Sequence, residues 1–186
     1  MAERVCPWWM GYWLASPMRR LWMQTPEELL APYVREGMTA LEPGPGMGFF
    51  TLPMARMVGP AGRIVAVDIQ AKMLESLRRR AARAGLHTRI DTRLAQPDSM
   101  GVRDLSGAVD FVLAFAVVHE LPSIAVFFSE AAAALRPGGL LLLAEPGGHV
   151  EPEMFNKELE TARRAGLEPL AQPDIRHTRA ALLQKV

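Results

Sequence analysis

The chain has 186 residues, 49% hydrophobic and 22% charged, with a formal net charge of +1 and a single cysteine, Cys6. That length holds one domain with a proper core and is short for two, and the composition is that of an ordinary globular protein. The charge gives no field to steer a nucleic acid, one cysteine excludes an intrachain disulfide and a cysteine-rich metal cage, and no apolar run approaches the roughly 20 residues of a bilayer span. The N-terminus lacks the zones of a signal peptide, so a cytoplasmic location is expected.

Residues 1–31 stand apart as an aromatic-rich segment carrying Trp8, Trp9, Tyr12, Trp13 and Trp22. From Pro32 onward, apolar runs alternate with helical patterns, which predicts one α/β layered domain over 32–186. A strand at 38–42 is followed by a glycine-rich turn and a helix over 49–57; Pro53 falls near its first turn, where a missing N–H costs little. Strand 63–68 leads to a helix at 71–84, with Leu74, Leu77, Ala81 and Ala84 at helical spacing and Gly85 as its stop. Strands follow at 88–94 and 109–115, and Ser123 caps a helix whose buried stripe is Ile124, Phe127, Phe128, Ala131 and Leu135. Pro137-Gly138-Gly139 ends that helix and feeds a fully apolar strand at 139–145. A helix over 153–165 and strand-like runs at 167–171 and 178–185 complete seven strands. The last two form a hairpin that would add an antiparallel strand to a parallel sheet.

The stretch Leu41-Glu42-Pro43-Gly44-Pro45-Gly46-Met47-Gly48 places an acid and three glycines at the end of an apolar run. Glycine lets the backbone turn sharply there while a ligand touches bare amides, and the following helix offers free N–H groups to an anionic group. Asp68 ends the next apolar run. The glycines fall at every second position, unlike the Gly-x-Gly-x-x-Gly dinucleotide fingerprint. The pattern resembles the first motif of the class I S-adenosylmethionine-dependent methyltransferases, with Val109 to Phe115 similar to their fourth strand and Leu135 to Leu143 similar to the loop and fifth strand. The resemblance implies a Rossmann-like, mostly parallel seven-stranded sheet with an antiparallel C-terminal strand and helices on both faces. It implies adenosylmethionine as cofactor, held by Glu42, Gly44, Pro45, Gly46 and Gly48, with Asp68 on the ribose hydroxyls and Ile69 and Phe115 beside it. The family often carries an acid after the third strand for the adenine amino group; here Gln96 stands at that place, Asp98 lies two further on, and the backbone of Ala95 is the other candidate.

After the fourth strand the sequence reads Ala116-Val117-Val118-His119-Glu120-Leu121-Pro122, at the mouth of the crevice in this fold. His119 is the candidate general base and Glu120 its orienting partner, set against a structural histidine bonded to the backbone. His149, after the fifth strand, is a candidate substrate contact. His119, Glu120, Glu145 and His149 together have no metal-cage spacing, so no metal is expected. An Asn/Asp-Pro-Pro-aromatic motif, common in amino and nucleobase methyltransferases, is absent; oxygen or carbon is therefore the favoured acceptor. The segment 1–31 reads as a lid over a small, hydrophobic substrate, with Trp9, Tyr12 and Trp13 as contacts. Its alternatives are a place on the sheet edge, a homodimer contact, or peripheral membrane contact, which Trp beside Arg19 and Arg20 would suit. No nucleic-acid partner is expected. Two other functions stand beside methyl transfer: a non-catalytic adenosylmethionine-binding module working with a partner protein, and a nicotinamide-dependent oxidoreductase, which shares the acid after the second strand but lacks the glycine spacing.

Overall fold

Seven strands form one sheet in the order β3-β2-β1-β4-β5-β7-β6. The computed structural model describes residues 25–186, so the lid expectation and its Trp9, Tyr12 and Trp13 lie outside the described residues. The strands are β1 (Thr39–Pro43), β2 (Arg63–Asp68), β3 (Ile90–Leu94), β4 (Val109–Phe115), β5 (Leu135–Pro146), β6 (Leu167–Ala171) and β7 (Thr178–Lys185). The helices are α1 (Pro26–Leu30), α2 (Thr51–Met57), α3 (Ala71–Arg83), α4 (Ile124–Ala134) and α5 (Pro152–Arg164). The first five strands pair in parallel, and β7 runs antiparallel between β5 and β6. This is the Rossmann-like, mostly parallel arrangement that the strand count and the closing hairpin predict.

Two-sided burial explains why the central strands are apolar at nearly every position. In β4, Val112 and Ala114 join one buried cluster with Phe127, Phe128 and Ala131 of α4 and Phe155, Leu159 and Ala162 of α5. Phe111 and Leu113 face the other way, into a cluster with Leu29 and Leu30 of α1, Met54 and Ala55 of α2, and Leu77 and Ala81 of α3. Strand residues divide between the two clusters by the period-2 alternation of side chains. The short α1 is closed by a reciprocal cap, in which Glu28 N–H donates to Thr25 Oγ1 at 3.3 Å and Thr25 N–H to Glu28 Oε2 at 3.2 Å. It brings the end of the 1–31 segment into the core of the domain.

Element boundaries shift where local bonding competes with the sequence pattern. Helix α2 starts at Thr51 rather than 49, because the chain is still turning through residues 46–50. Pro53 sits in its first turn, as expected. Strand β3 starts at Ile90, since His87–Arg89 form a 3₁₀ turn. Strand β5 begins at Leu135, not 139: Leu135 pairs with Val109, and Pro137-Gly138-Gly139 form a bulge within the strand instead of a separating loop. Two side chains from β7 hold the bulge, Lys185 Nζ donating to Leu135 O at 2.6 Å and Gln184 Nε2 to Gly138 O at 3.3 Å.

Candidate functional site

The strand order reverses between β1 and β4, and in open α/β sheets the crevice outside the carboxyl ends of the strands at such a point receives ligands. A cavity of about 470 Å³ opens there, lined by the ends of β1, β2 and β4 and by the loops after β3 and β5. Its size falls within the roughly 300–1,000 Å³ of small-molecule sites.

The glycine turn closes over β2 by Gly44 N–H donating to Val67 O at 2.8 Å. Two of its glycines are packing requirements. A Cβ on Gly44 would lie 2.7 Å from Val117 Cγ2, and one on Gly48, with φ +90°, 2.6 Å from Leu77 Cδ1. Gly44 thus lets the turn after β4 approach β1, and Gly48 lets α3 approach the turn. Arg80 of α3 reinforces that approach, its Nη1 donating to Met47 O at 2.5 Å. Gly46 differs: no atom lies within 4 Å of a Cβ built there, and it lines the cavity.

Two buried carboxyls flank the turn. Glu42, at the end of β1, accepts the Thr51 hydroxyl proton at 2.6 Å. Burial pushes it up to about 8, the Thr51 hydrogen bond opposing and Asp68 adding a little. Asp68 ends β2 and accepts Gln70 N–H at 2.8 Å. Burial raises it to about 6, and the amides of Gln70, Gly46 and Ile69 pull it back.

Opposite lies the 3₁₀ turn Val118–Glu120 that follows β4. Ala116, at φ +54°, is one of two non-glycine residues with positive φ among those described, and its N–H donates to Ala144 O at 2.7 Å. The sharp reversal brings the next residues over the end of β5. There Glu145, fully buried, accepts Val118 N–H at 2.7 Å through Oε1 and His119 Nδ1–H through Oε2. The expected orienting partner, Glu120, lies instead 3.9 Å from the other ring nitrogen, Nε2. His119 is raised above its ordinary value, chiefly by the Glu145 hydrogen bond, against partial burial and with lesser help from Glu120 and Glu158. A buried carboxylate on Nδ1 fixes the tautomer and leaves the Nε2 lone pair as the basic site.

Of the residues singled out from sequence, Glu42, Gly44, Pro45, Gly46, Asp68, Ile69, Ala95, Gln96, Phe115, His119, Glu120 and His149 all line the cavity; Gly48 does not, its side taken by Leu77 and Leu52. Gln96 sits in a small turn bridged to Ser99, and Ala95 N–H donates to Asp68 O at 3.0 Å. Glu130 of α4 braces that turn, accepting Ser99 Oγ–H and Met100 N–H, both at 2.6 Å. Asp98 also lines the cavity. The apolar wall went unforeseen: Phe49, Phe50, Met73, Met100, Val126 and Phe127 complete it. Glu145 was foreseen only as one of four residues without metal-cage spacing. Its signal was a lone acid ending an otherwise apolar strand. Among the described residues no group of three or more His, Cys, Asp or Glu could hold a metal ion. No helix among them is long and apolar enough to cross a membrane.

Comparison with known proteins agrees with this geometry. Over 116 residues the chain is 32% identical to the ubiquinone biosynthesis O-methyltransferase of Paramagnetospirillum magneticum, covering 62% of this chain and 43% of that protein. It is 27% identical over 112 residues to the demethylmenaquinone methyltransferase of Staphylococcus aureus, covering 60% and 44%. The chain thus spans less than half the length of these curated relatives. The fold matches the crystal structure of a SAM dependent methyltransferase from Aquifex aeolicus with a TM-score of 0.86 at 22% identity, covering 98% of this chain and 100% of that one. The methyltransferase domain family matches residues 41–143, from within β1 to within β5, and the chain therefore belongs to that family.

Proposed function

We propose that the protein transfers a methyl group from S-adenosylmethionine to a small, hydrophobic acceptor, at oxygen or carbon, by in-line displacement. The observation that carries this reading is one cavity lined at once by two buried carboxyls, a glycine turn, an apolar wall and the Glu145-held His119. Adenosylmethionine supplies, when bound, a methyl group on a sulfonium leaving group. The residues present fit it. Glu42 is a buried acid whose ionisation burial opposes, and a cationic ligand offsets that cost. Asp68 presents a carboxylate to the ribose hydroxyls, and the open space at Gly46 leaves bare backbone toward the cavity.

On the acceptor side, Phe49, Phe50, Phe127 and Met73 offer a surface for a flat, apolar ring. Two relatives are named as a ubiquinone biosynthesis O-methyltransferase and a demethylmenaquinone methyltransferase, which supports a quinone-type acceptor. No lysine or arginine lines the cavity among the described residues, so a neutral acceptor is favoured over an anionic one. His119 takes the proton of an acceptor hydroxyl at Nε2 while Glu145 holds Nδ1–H. The remaining task is alignment and exclusion of water.

The test is incubation with adenosylmethionine and a panel of hydroquinones, catechols and other phenols, following adenosylhomocysteine release and methylated product, with NADH binding as control. Turnover with an apolar phenol is the expected result. Tight binding with no turnover on any acceptor would favour the non-catalytic module, and NADH binding without adenosylmethionine binding would overturn the cofactor reading.

The raised Glu42 gives a second expected outcome. The ammonium group that adenosylmethionine and adenosylhomocysteine share binds the ionised carboxylate better than the acid, so binding draws off the Glu42 proton. Affinity for adenosylhomocysteine therefore rises between about pH 6.5 and pH 8.5 and then levels off. Calorimetry in two buffers of different ionisation enthalpy reads the released proton. Glu42→Gln should flatten the pH dependence and weaken binding at pH 8.5; an unchanged slope would remove Glu42 from the cationic end.

A further inference from the structure

Behind His119 lies a carboxyl group that the reaction described above does not use. Glu158, in the middle of α5, is fully buried on the same stripe as Phe155, Leu159 and Ala162. Among the described residues neither of its carboxyl oxygens has a hydrogen-bond partner. Native folds almost always supply one, because a buried, unpaired ionisable group opposes folding. Methionine or glutamine would occupy the same place on the stripe with less penalty. A local rule broken without compensation in the packing points to a functional constraint. The packing around Glu158 says which one: its stripe joins the buried cluster that holds Val117 and Val118, just before His119, and Leu141 and Leu143, which share a face of β5 with the buried Glu145. Glu145 and His119 are the charged groups that act on it there.

We propose that Glu158 is a positioning residue for His119, forming with Glu145 one buried charge cluster that sets how readily His119 holds a proton. This rests on His119 being the base. Glu145 is the near member, taking Nδ1–H and the Val118 amide, so both its oxygens are occupied. Glu158 is the far member, its oxygens without a hydrogen-bond partner among the described residues. With His119 neutral, two carboxylates would face each other out of water, and Glu158 holds its proton; burial, then Glu145, push it up to about 8. The proton shared by the two groups rests either on Glu158 or on His119, and with it on His119 the ionised Glu158 favours the imidazolium. The two groups titrate as a coupled set rather than separately.

The other charged groups nearby have their own engagements. Glu130, from α4, is held by Ser99 and Met100. Glu168, from β6, lies 3.9 Å from Arg163 at the surface. Arg179 of β7 stands opposite Glu145 in the strand ladder, but its Nε donates to Val150 O at 2.8 Å. Glu120 acts on His119 from the cavity side, and His149 lies in the loop that leads into α5.

The experiment is an NMR titration of His119 in the cofactor-free protein, its signal assigned among the four histidines with His119→Gln. Removing a negative charge that favours the imidazolium lowers the midpoint. Glu145→Gln should lower it most, and Glu158→Gln by about half a unit or more. The pH profile of kcat/KM should move its acid limb to lower pH by the same amount in Glu158→Gln. Glu158→Gln and Glu158→Met should melt at or above the temperature of the unaltered protein, since each removes an unpaired buried acid. A His119 midpoint that Glu158→Gln leaves in place while Glu145→Gln lowers it overturns the proposal. So does a midpoint unmoved in Glu158→Met together with loss of thermal stability in both variants, which would make Glu158 a structural residue. The titration needs no substrate: a shifted midpoint without turnover on any phenol supports the cluster and counts against the reaction, whereas turnover with an unmoved midpoint does the reverse.

Discussion

Asp68→Ala should weaken binding of adenosylmethionine and adenosylhomocysteine by about 10²- to 10⁴-fold, because it removes the acceptor proposed for two ribose hydroxyls, each charge-assisted bond contributing about 1.5–3 kcal/mol. The carboxylate has a second task. It accepts Gln70 N–H at 2.8 Å, and the nearby Gly46 amide favours its ionised form, so it also braces the glycine turn at the end of β2. The loss in the alanine variant therefore combines missing contacts with a less ordered turn. Asp68→Asn separates them, since an amide keeps an acceptor oxygen without the charge; it should fall between the alanine variant and the unaltered protein. The fold should not suffer. Burial raises the Asp68 carboxyl to about 6, so near neutral pH the folded state carries an ionised group that burial disfavours, and removing it offsets the lost amide bonds. Calorimetry of both ligands with a melting curve for each variant checks this. Unchanged affinity in Asp68→Ala would remove Asp68 from the cofactor contacts.

Much of this architecture was legible because the sequence punctuates it. Apolar runs end in Glu42 or Asp68, or meet glycine, and the alternation of strands with amphipathic helices leaves few topologies. The start of β5 was misread because a local signal was overridden by a neighbouring strand. Pro137-Gly138-Gly139 reads as a breaker, yet Leu135 pairs with Val109 and β7 side chains hold the bulge, so the strand runs through it. The site divides in the same way. Glu42, Asp68 and His119 announce themselves by standing at strand ends. The partner of His119 does not, because Glu120 is adjacent in sequence whereas Glu145 is adjacent only through the pairing of β4 with β5, which sets Phe115 against Ala144. Glu158 was visible in principle: it falls at the inward positions of α5, among Phe155, Leu159 and Ala162, where a charge breaks the stripe. Gly48 illustrates the converse. Its spacing matches the glycine turn, but its lack of a side chain serves α3, whose Leu77 fills the place a Cβ would take.

The largest effect on turnover is expected at His119. His119→Ala should lower kcat by about 10²- to 10⁴-fold with the KM for adenosylmethionine little changed, since a base acts on the acceptor's proton and not on the cofactor. The pH profile gives the sharper reading. A base must be unprotonated, and Glu145 raises His119 above its ordinary value, so kcat should climb through a midpoint above about 6.5 and then level off. Residual activity in the alanine variant should instead follow the ionisation of the acceptor itself, rising toward the phenol's own pKa. Glu145→Gln keeps the shape of the pair and removes its charge; its midpoint falls, and its plateau falls too, because an amide no longer enforces the tautomer with Nδ1–H. Glu120→Gln should have the smaller effect on both, its carboxylate standing 3.9 Å from Nε2 while Glu145 bonds the ring directly. The ordering of these variants separates a base from a bystander. If His119→Ala turned over a neutral phenol at the full rate, the acceptor would be losing its proton elsewhere, and the Glu145–His119 pair would hold the turn after β4 without taking part in the reaction.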